Sequence, residues 1–173
     1  SFTGPYTNIG FVDRSITWYD DYGRMLGYEE ISESEGVQTI THFVVLGYRD
    51  DGWVSNLMKE YQQESVTEDV TTTTWHYNES WDEYGQVLCY HEKTEVETEE
   101  GKLVTEVVRL NIYREQSYLL EGFEEFISER AYDASGEVQY EDFSFHVRYD
   151  MEYNEYNQLI GYMDLNVGGL TEE

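Results

Sequence analysis

The sequence predicts an all-β protein, an antiparallel up-and-down meander of about ten long strands. Three observations support this. Strand-forming residues dominate, with 17 Tyr, 7 Phe and 4 Trp among 173 residues, whereas Ala occurs only at Ala131 and Ala134. Apolar and polar residues alternate with a period of two, and turn-forming residues separate the alternating segments at regular intervals. This alternation is typical of an open twisted or curled sheet and of a closed barrel alike.

The strands are recognised from their alternation. It is clearest in Ile40–Tyr48, Val104–Ile112 and Phe143–Tyr153, where one set of positions is apolar or aromatic and the other is largely polar. The first and last strands are expected near Ile9–Tyr19 and Gln158–Val167, and they would form the two edges of the sheet.

The turns form two alternating sets, and two strands per repeat of about 32 residues is the simplest account of their spacing. An Asp or Asn early in a turn accepts hydrogen bonds from nearby backbone NH groups, and a later Gly or Asn supplies a left-handed backbone conformation. We expect that conformation at positions 23, 52, 85, 136 and 157. No linker interrupts the series, so residues 1–173 form one β-repeat domain, which can be a segment of a longer repeat protein.

Six turns share one pattern: an aromatic residue, then Asp, Asn or Arg, two variable residues, Gly, Asn or Ser, one further residue, and Leu, Val or Met. The six segments are Tyr19–Met25, Tyr48–Val54, Trp81–Val87, Tyr113–Leu119, Tyr132–Val138 and Tyr153–Leu159. Its structural residues are Tyr19, Asp20, Gly23, Tyr48, Gly52, Trp81, Asp82, Gly85, Tyr113, Tyr132, Asp133, Gly136, Tyr153 and Asn157. We expect the leading aromatic rings to stack on their counterparts in neighbouring hairpins.

The best copy, Tyr19–Met25, resembles the YD repeat of the Rhs family, whose core reads Tyr-Asp-x-x-Gly-Arg-Leu. The resemblance implies long twisted antiparallel strands in a large extracellular or cell-surface protein, often curled into a shell or tube. The chain departs from the family pattern in its longer repeat and in Arg49 and Arg114, which stand where the family has Asp.

Charge limits the partners. With 37 acidic and 10 basic side chains the formal net charge is −27, which repels nucleic acid. No apolar run approaches the ~20 residues that a membrane-spanning helix needs, so we expect no membrane insertion. Cations would screen the acidic surface, and a cation-rich extracellular or cell-surface location fits this charge.

No catalytic signature is present, and we expect neither an enzyme nor a cofactor. The sequence also offers two candidate cation sites. If Trp81 pairs with Gln86, His76 faces His91 with Cys89 on the same side, which is a donor set for a transition metal. At one end of the predicted sheet the turns also repeat pairs of oxygen-bearing side chains of the kind that Ca²⁺ prefers: Asp20 and Asp21, Asp50 and Asp51, Asp82 and Glu83, and Asn154 and Glu155.

The sequence therefore predicts a non-enzymatic extracellular structural or adhesive β-repeat unit that can assemble into a surface array or filament. Its partners would be itself or neighbouring repeats, joined through the edge strands. The alternative is a closed, lipocalin-like barrel that binds a small apolar ligand.

Overall fold

The computed structural model confirms the all-β meander. It describes residues 11–34, 36–50, 54–115 and 117–168. Ten antiparallel strands follow one another in chain order within a single sheet. Their bounds are β1 Phe11–Tyr19, β2 Met25–Ser34, β3 Val37–Asp50, β4 Val54–Thr67, β5 Val70–Trp81, β6 Val87–Thr98, β7 Gly101–Tyr113, β8 Leu120–Asp133, β9 Val138–Tyr153 and β10 Leu159–Gly168.

The sheet is open, so the closed-barrel alternative is wrong. Over the described residues β1 pairs only with β2 and β10 only with β9. A barrel requires its first and last strands to hydrogen-bond to each other. The hairpins hold each strand against its neighbour, but no backbone hydrogen bonds join β10 to β1 in the described residues. Alternation alone could not reveal this, since it is the same in an open and a closed sheet.

Four hairpins close with the same hydrogen bonds. In the β5–β6 hairpin the backbone NH of Asp82 donates to the Gln86 carbonyl and that of Gly85 to the Asp82 carbonyl. The Oδ1 atom of Asp82 accepts from the backbone NH groups of Tyr84 and Gln86 at 2.9 Å each. The residues that play the part of Asp82 in the other three hairpins are Asp20, Asp133 and Asn154.

The left-handed residues are confirmed at four of the five predicted positions. Gly23, Gly85, Gly136 and Asn157 have φ between 60° and 87°; Gly52 lies outside the described residues.

The hairpins after odd-numbered strands define the first rim of the sheet, and those after even-numbered strands define the second rim. The Asp133 turn, which joins β8 to β9, lies on the second rim, so this turn design serves both ends of the sheet.

Within the part of the chain that the structure describes, no second layer covers the sheet. Among the described residues no large side chain is fully buried, and the best-buried apolar ones are 6–8% exposed: Phe43, Val45, Cys89, Phe123 and Met151. A single layer cannot enclose side chains between two sheets or between a sheet and helices. Its stability must therefore come mainly from contacts between neighbouring strands.

A row of stacked side chains crosses one face, which we call the ladder face. It contains one residue from each of nine consecutive strands: Tyr28, Phe43, Tyr61, His76, Tyr90, Arg109, Phe123, Arg148 and Tyr162. The first four ring-to-ring centroid distances are 4.8–5.1 Å. Further along, the Arg109 guanidinium lies 3.7 Å from the Phe123 ring centroid and that of Arg148 lies 3.8 Å from the Tyr162 ring centroid.

The shared turn makes Asp82→Ala a test of hairpin closure. The substitution removes the acceptor of two backbone NH groups, and we expect the free energy of unfolding to fall by about 1–2 kcal/mol. Asp82→Asn is the matched control, because Asn154 closes the β9–β10 hairpin in the same way. Urea denaturation measures both variants, and equal stability of the Ala and Asn variants would contradict the assigned role.

Acidification should weaken the β8–β9 turn. Hydrogen bonds from the Ser135 hydroxyl and from the Glu137 backbone NH lower the pKa of Asp133 below its usual value. A lowered folded-state pKa stabilises the fold above the unfolded-state pKa, and this stabilisation is lost as the pH falls through the folded-state value. Asp133→Asn keeps an acceptor oxygen but removes the titration. Relative to wild type, this variant should therefore gain stability below about pH 4 when urea midpoints at neutral and acidic pH are compared.

Because Phe123 belongs to the ladder and Phe126 does not, we expect their substitutions to lower the free energy of unfolding by very different amounts. Phe123 is 6% exposed on the ladder face, whereas Phe126 is 47% exposed on the opposite face. Phe123→Ala should lower the free energy of unfolding by about 3 kcal/mol, and Phe126→Ala by about 1 kcal/mol or less. Thermal and urea denaturation measure both variants, and similar losses would show that the ladder does not dominate stability.

Candidate functional site

Three leading aromatic residues of the first rim, Tyr48, Trp81 and Tyr153, stack on arginines. The guanidinium of Arg24 lies 4.4 Å from the ring centroid of Tyr48, and that of Arg49 lies 5.5 Å from the Trp81 ring. Arg114 lies 5.2 Å from the Tyr153 ring centroid. Each arginine belongs to the preceding hairpin of this rim.

The expected stacking of the leading aromatics on one another is therefore wrong: within the described residues no ring pair joins two of them. An arginine reaches each of these three rings instead, and a cation is attracted to the face of an aromatic ring. Two of these arginines, Arg49 and Arg114, stand at the turn position that Asp20 and Asp82 hold in their own hairpins.

The other three leading aromatic residues, Tyr19, Tyr113 and Tyr132, do not share this contact with an arginine within the described residues, and they differ in their environments. Tyr19 is 60% exposed at the end of β1. Burial, followed by the negative charge of Asp82, raises the pKa of Tyr113. Tyr132, on the second rim, has the Lys102 ammonium 5.7 Å from its ring centroid. The motif therefore builds a turn, and it does not gather its aromatic residues into one site.

The predicted pairing of His76 with His91 is wrong by one residue. His76 pairs with Glu92, and Tyr77 pairs with His91. Trp81 pairs with Val87 instead of Gln86, because the hairpin loop runs over five residues, 82–86. A shift of one residue moves a side chain to the other face of the sheet, so His76 lies on the ladder face, away from Cys89 and His91.

Both ring nitrogens of His76 are engaged on the ladder face. Its Nδ1 lies 3.0 Å from Glu92 Oε2 and its Nε2 lies 3.0 Å from Asn78 Oδ1. The ring also stacks between Tyr61 and Tyr90. His76 is thus a structural member of the ladder.

Cys89 and His91 instead share a partner that sequence reasoning missed, Glu79. The Cys89 thiol donates to Glu79 Oε2 at 3.1 Å, and His91 Nε2 lies 3.0 Å from the same oxygen. The ligand atoms of the three residues all lie within 4.8 Å of one another. We call these three residues the Glu79 cluster. It is the only group of three or more metal-ligating side chains of this kind within the described residues.

A β-bulge positions Glu79. Asn78 pairs with Tyr90 and Ser80 with Cys89, so β5 advances by two residues where β6 advances by one. The extra residue is Glu79, and bulges commonly redirect a side chain in this way. The five-residue loop was the only sequence signal that could have corrected the pairing, and nothing in the sequence marks the bulge itself.

The protonation of the cluster argues against a catalytic cysteine. Burial, then the hydrogen bond to Glu79, raise the pKa of Cys89 to about 11. Hydrogen bonds from Cys89 and then from His91 lower the pKa of Glu79. At neutral pH the cluster therefore holds a thiol beside a carboxylate, and a thiol is a poor nucleophile.

The carboxylates of the first rim, the second candidate cation site, take part in the turns themselves. Asp20 and Asp82 each accept two backbone NH groups through Oδ1. The second oxygen of Asp20 also accepts from Arg24 Nε at 2.6 Å. These hydrogen bonds give Asp20 and Asp82 a structural role at their turn positions.

The face opposite the ladder, which we call the apolar face, carries exposed apolar side chains near the β10 edge. Residues 46–55% exposed there are Leu110, Ile112, Phe126, Met163, Leu165 and Val167. Leu110, Glu124, Val147 and Leu165 form one row across β7 to β10. The described residues include no helix long and apolar enough to cross a bilayer.

No family model, no curated protein and no solved structure matches the chain.

Proposed function

We propose that this chain is a non-enzymatic structural unit that joins copies of itself, or neighbouring repeats of the same design, edge to edge into an extended sheet. The observation that carries the proposal is an open single-layer sheet whose two outer strands, β1 and β10, each have one neighbour in the described residues. An unpaired strand edge presents backbone NH and carbonyl groups that favour pairing with another strand.

The number of strands suits head-to-tail growth. Successive strands are antiparallel, so β10, an even-numbered strand, runs opposite to β1. A second copy that continues the sheet beyond β10 would therefore bring its β1 beside β10 in the antiparallel direction used throughout the sheet. Because this contact joins two different surfaces, each added copy presents a new free edge, and the contact generates a filament or array wherever the rotation between copies does not close a ring.

The edge strands carry little of the charge that would oppose their approach. The segment β1 contains one Asp and one Arg, and the only charged residue of β10 is Asp164. Asp164 forms a two-point hydrogen-bonded ion pair with Arg148, at 2.7 and 2.9 Å. Neither strand contains Lys or Pro, the residues that commonly protect sheet edges.

The ladder also ends at the β10 edge. Tyr162, its last member, is 49% exposed and contacts Arg148 of β9. An adjoining strand could place a further side chain beside this ring, which would extend the row of stacked groups. We place the assembly outside the cell or at its surface, because ions there would screen a chain of net charge −27.

Leu165→Lys tests the edge contact. We expect wild type to form large species at high salt, and we expect the charge that this substitution puts on β10 to abolish them. Light scattering after size-exclusion chromatography and electron microscopy measure assembly, and circular dichroism verifies the fold.

Leu110→Lys is the matched control, because Leu110 lies in the same row of the apolar face, with similar exposure, but on the interior strand β7. Loss of assembly in Leu165→Lys alone supports edge pairing. Loss in both variants would indicate stacking through the apolar face and overturn the proposal, as would a monomeric wild type at high salt.

A further inference from the structure

The Glu79 cluster has the donor atoms of a transition-metal site. It combines a sulfur, an imidazole nitrogen and a carboxylate oxygen from three side chains on β5 and β6. Zn²⁺ is bound by this set of ligand types, whereas Ca²⁺ and Mg²⁺ select oxygen ligands. The chemistry therefore favours a metal of the Zn²⁺ class over the hard cations that an acidic surface attracts.

The spacing of the donors is close to that of a tetrahedral site. Zn–ligand bonds of about 2.0–2.3 Å at tetrahedral angles separate adjacent ligand atoms by roughly 3.3–3.6 Å. Two edges of the cluster already measure 3.1 and 3.0 Å, and the Cys89–His91 edge is within 4.8 Å. Small side-chain rotations would bring all three donors around one ion.

The surroundings hold the donors while leaving them accessible. Cys89 is 8% exposed at the floor of the cluster, whereas the side chains of Glu79 and His91 are 55% and 49% exposed. The Tyr77 ring contacts the His91 ring edge-on at a centroid distance of 6.5 Å. His91 also lines a surface depression of about 300 Å³ that includes Trp75. The half-exposed side chains of Glu79 and His91 let solvent reach the cluster.

We propose that Glu79, Cys89 and His91 form a three-ligand site for a divalent transition metal of the Zn²⁺ class, with its fourth position open to solvent. This site is independent of the proposed assembly, since it lies on interior strands, away from β1 and β10. On binding, the metal forms a bond to Sγ, and the thiol proton passes to the buffer.

Co²⁺ titration of the reduced full chain tests the proposal. Excess Ca²⁺ should be present to occupy unspecific carboxylate sites. We expect one Co²⁺ per chain, a thiolate-to-cobalt charge-transfer band in the near ultraviolet, and loss of that band when Zn²⁺ displaces the cobalt. Absence of the band in wild type would overturn the proposal.

Single-residue variants distinguish Co²⁺ binding at the Glu79 cluster from Co²⁺ binding by other histidines of the chain. Cys89→Ser should remove the band, while Glu79→Gln and His91→Ala should weaken Co²⁺ binding more than about tenfold. These last two changes are at half-exposed side chains, so they test the site even if Cys89→Ser does not fold. His76→Phe, on the ladder face, and His42→Ala, on β3, are the controls and should bind as wild type does. Unchanged affinity in His91→Ala, or loss of binding in His76→Phe, would refute this assignment.

Discussion

Stacking between neighbouring strands on the ladder face is the interaction on which this sheet depends. Without a second layer, no described side chain is enclosed on all sides, and even Phe123 remains 6% exposed. Aromatic pairs of this geometry contribute about 0.5–1.5 kcal/mol beyond the area they bury. Together with the contacts of Arg109 and Arg148 with aromatic rings, which continue the row to β10, these pairs replace much of what a core between two layers would supply.

The ladder and the turns require each other. A one-residue slip in any hairpin would turn a ladder ring to the apolar face and interrupt the row. The Asp or Asn that accepts two backbone NH groups sets the loop length, and thereby the pairing of the strands that follow. The same turn at both rims repeats this constraint.

Most of the few basic side chains lie over aromatic rings, on the ladder face and elsewhere in the sheet. All three lysines, and five of the six arginines whose side chains are described, lie over aromatic rings: Lys59, Lys93, Lys102, Arg24, Arg49, Arg109, Arg114 and Arg148. In a chain with 37 acidic side chains each cation has many possible partners. Lying over a ring, a cation also covers apolar surface that a single-layer sheet leaves exposed.

Local chemistry made the meander and its left-handed turn residues predictable, because Gly85 or Asn157 at the end of an Asp- or Asn-led turn has few alternative conformations. The exact pairing was not predictable, since a four- and a five-residue loop differ only in whether Trp81 faces Gln86 or Val87. That one residue moved His76 to the ladder face. The bulge then placed Glu79 beside Cys89, an outcome of strand pairing that no sequence motif records.

Charge and apolar surface act against each other in the proposed assembly. A sheet with Leu165 and Val167 more than 50% exposed would be prone to associate, yet a net charge of −27 keeps copies apart at low salt. At physiological ionic strength the screening length is about 8 Å, shorter than the sheet is wide. Carboxylates of two copies that lie farther apart than this distance repel each other only weakly. Edge strands in contact still interact directly. The acidic surface would then set the ionic conditions for assembly, and the nearly neutral edges would decide where the copies join.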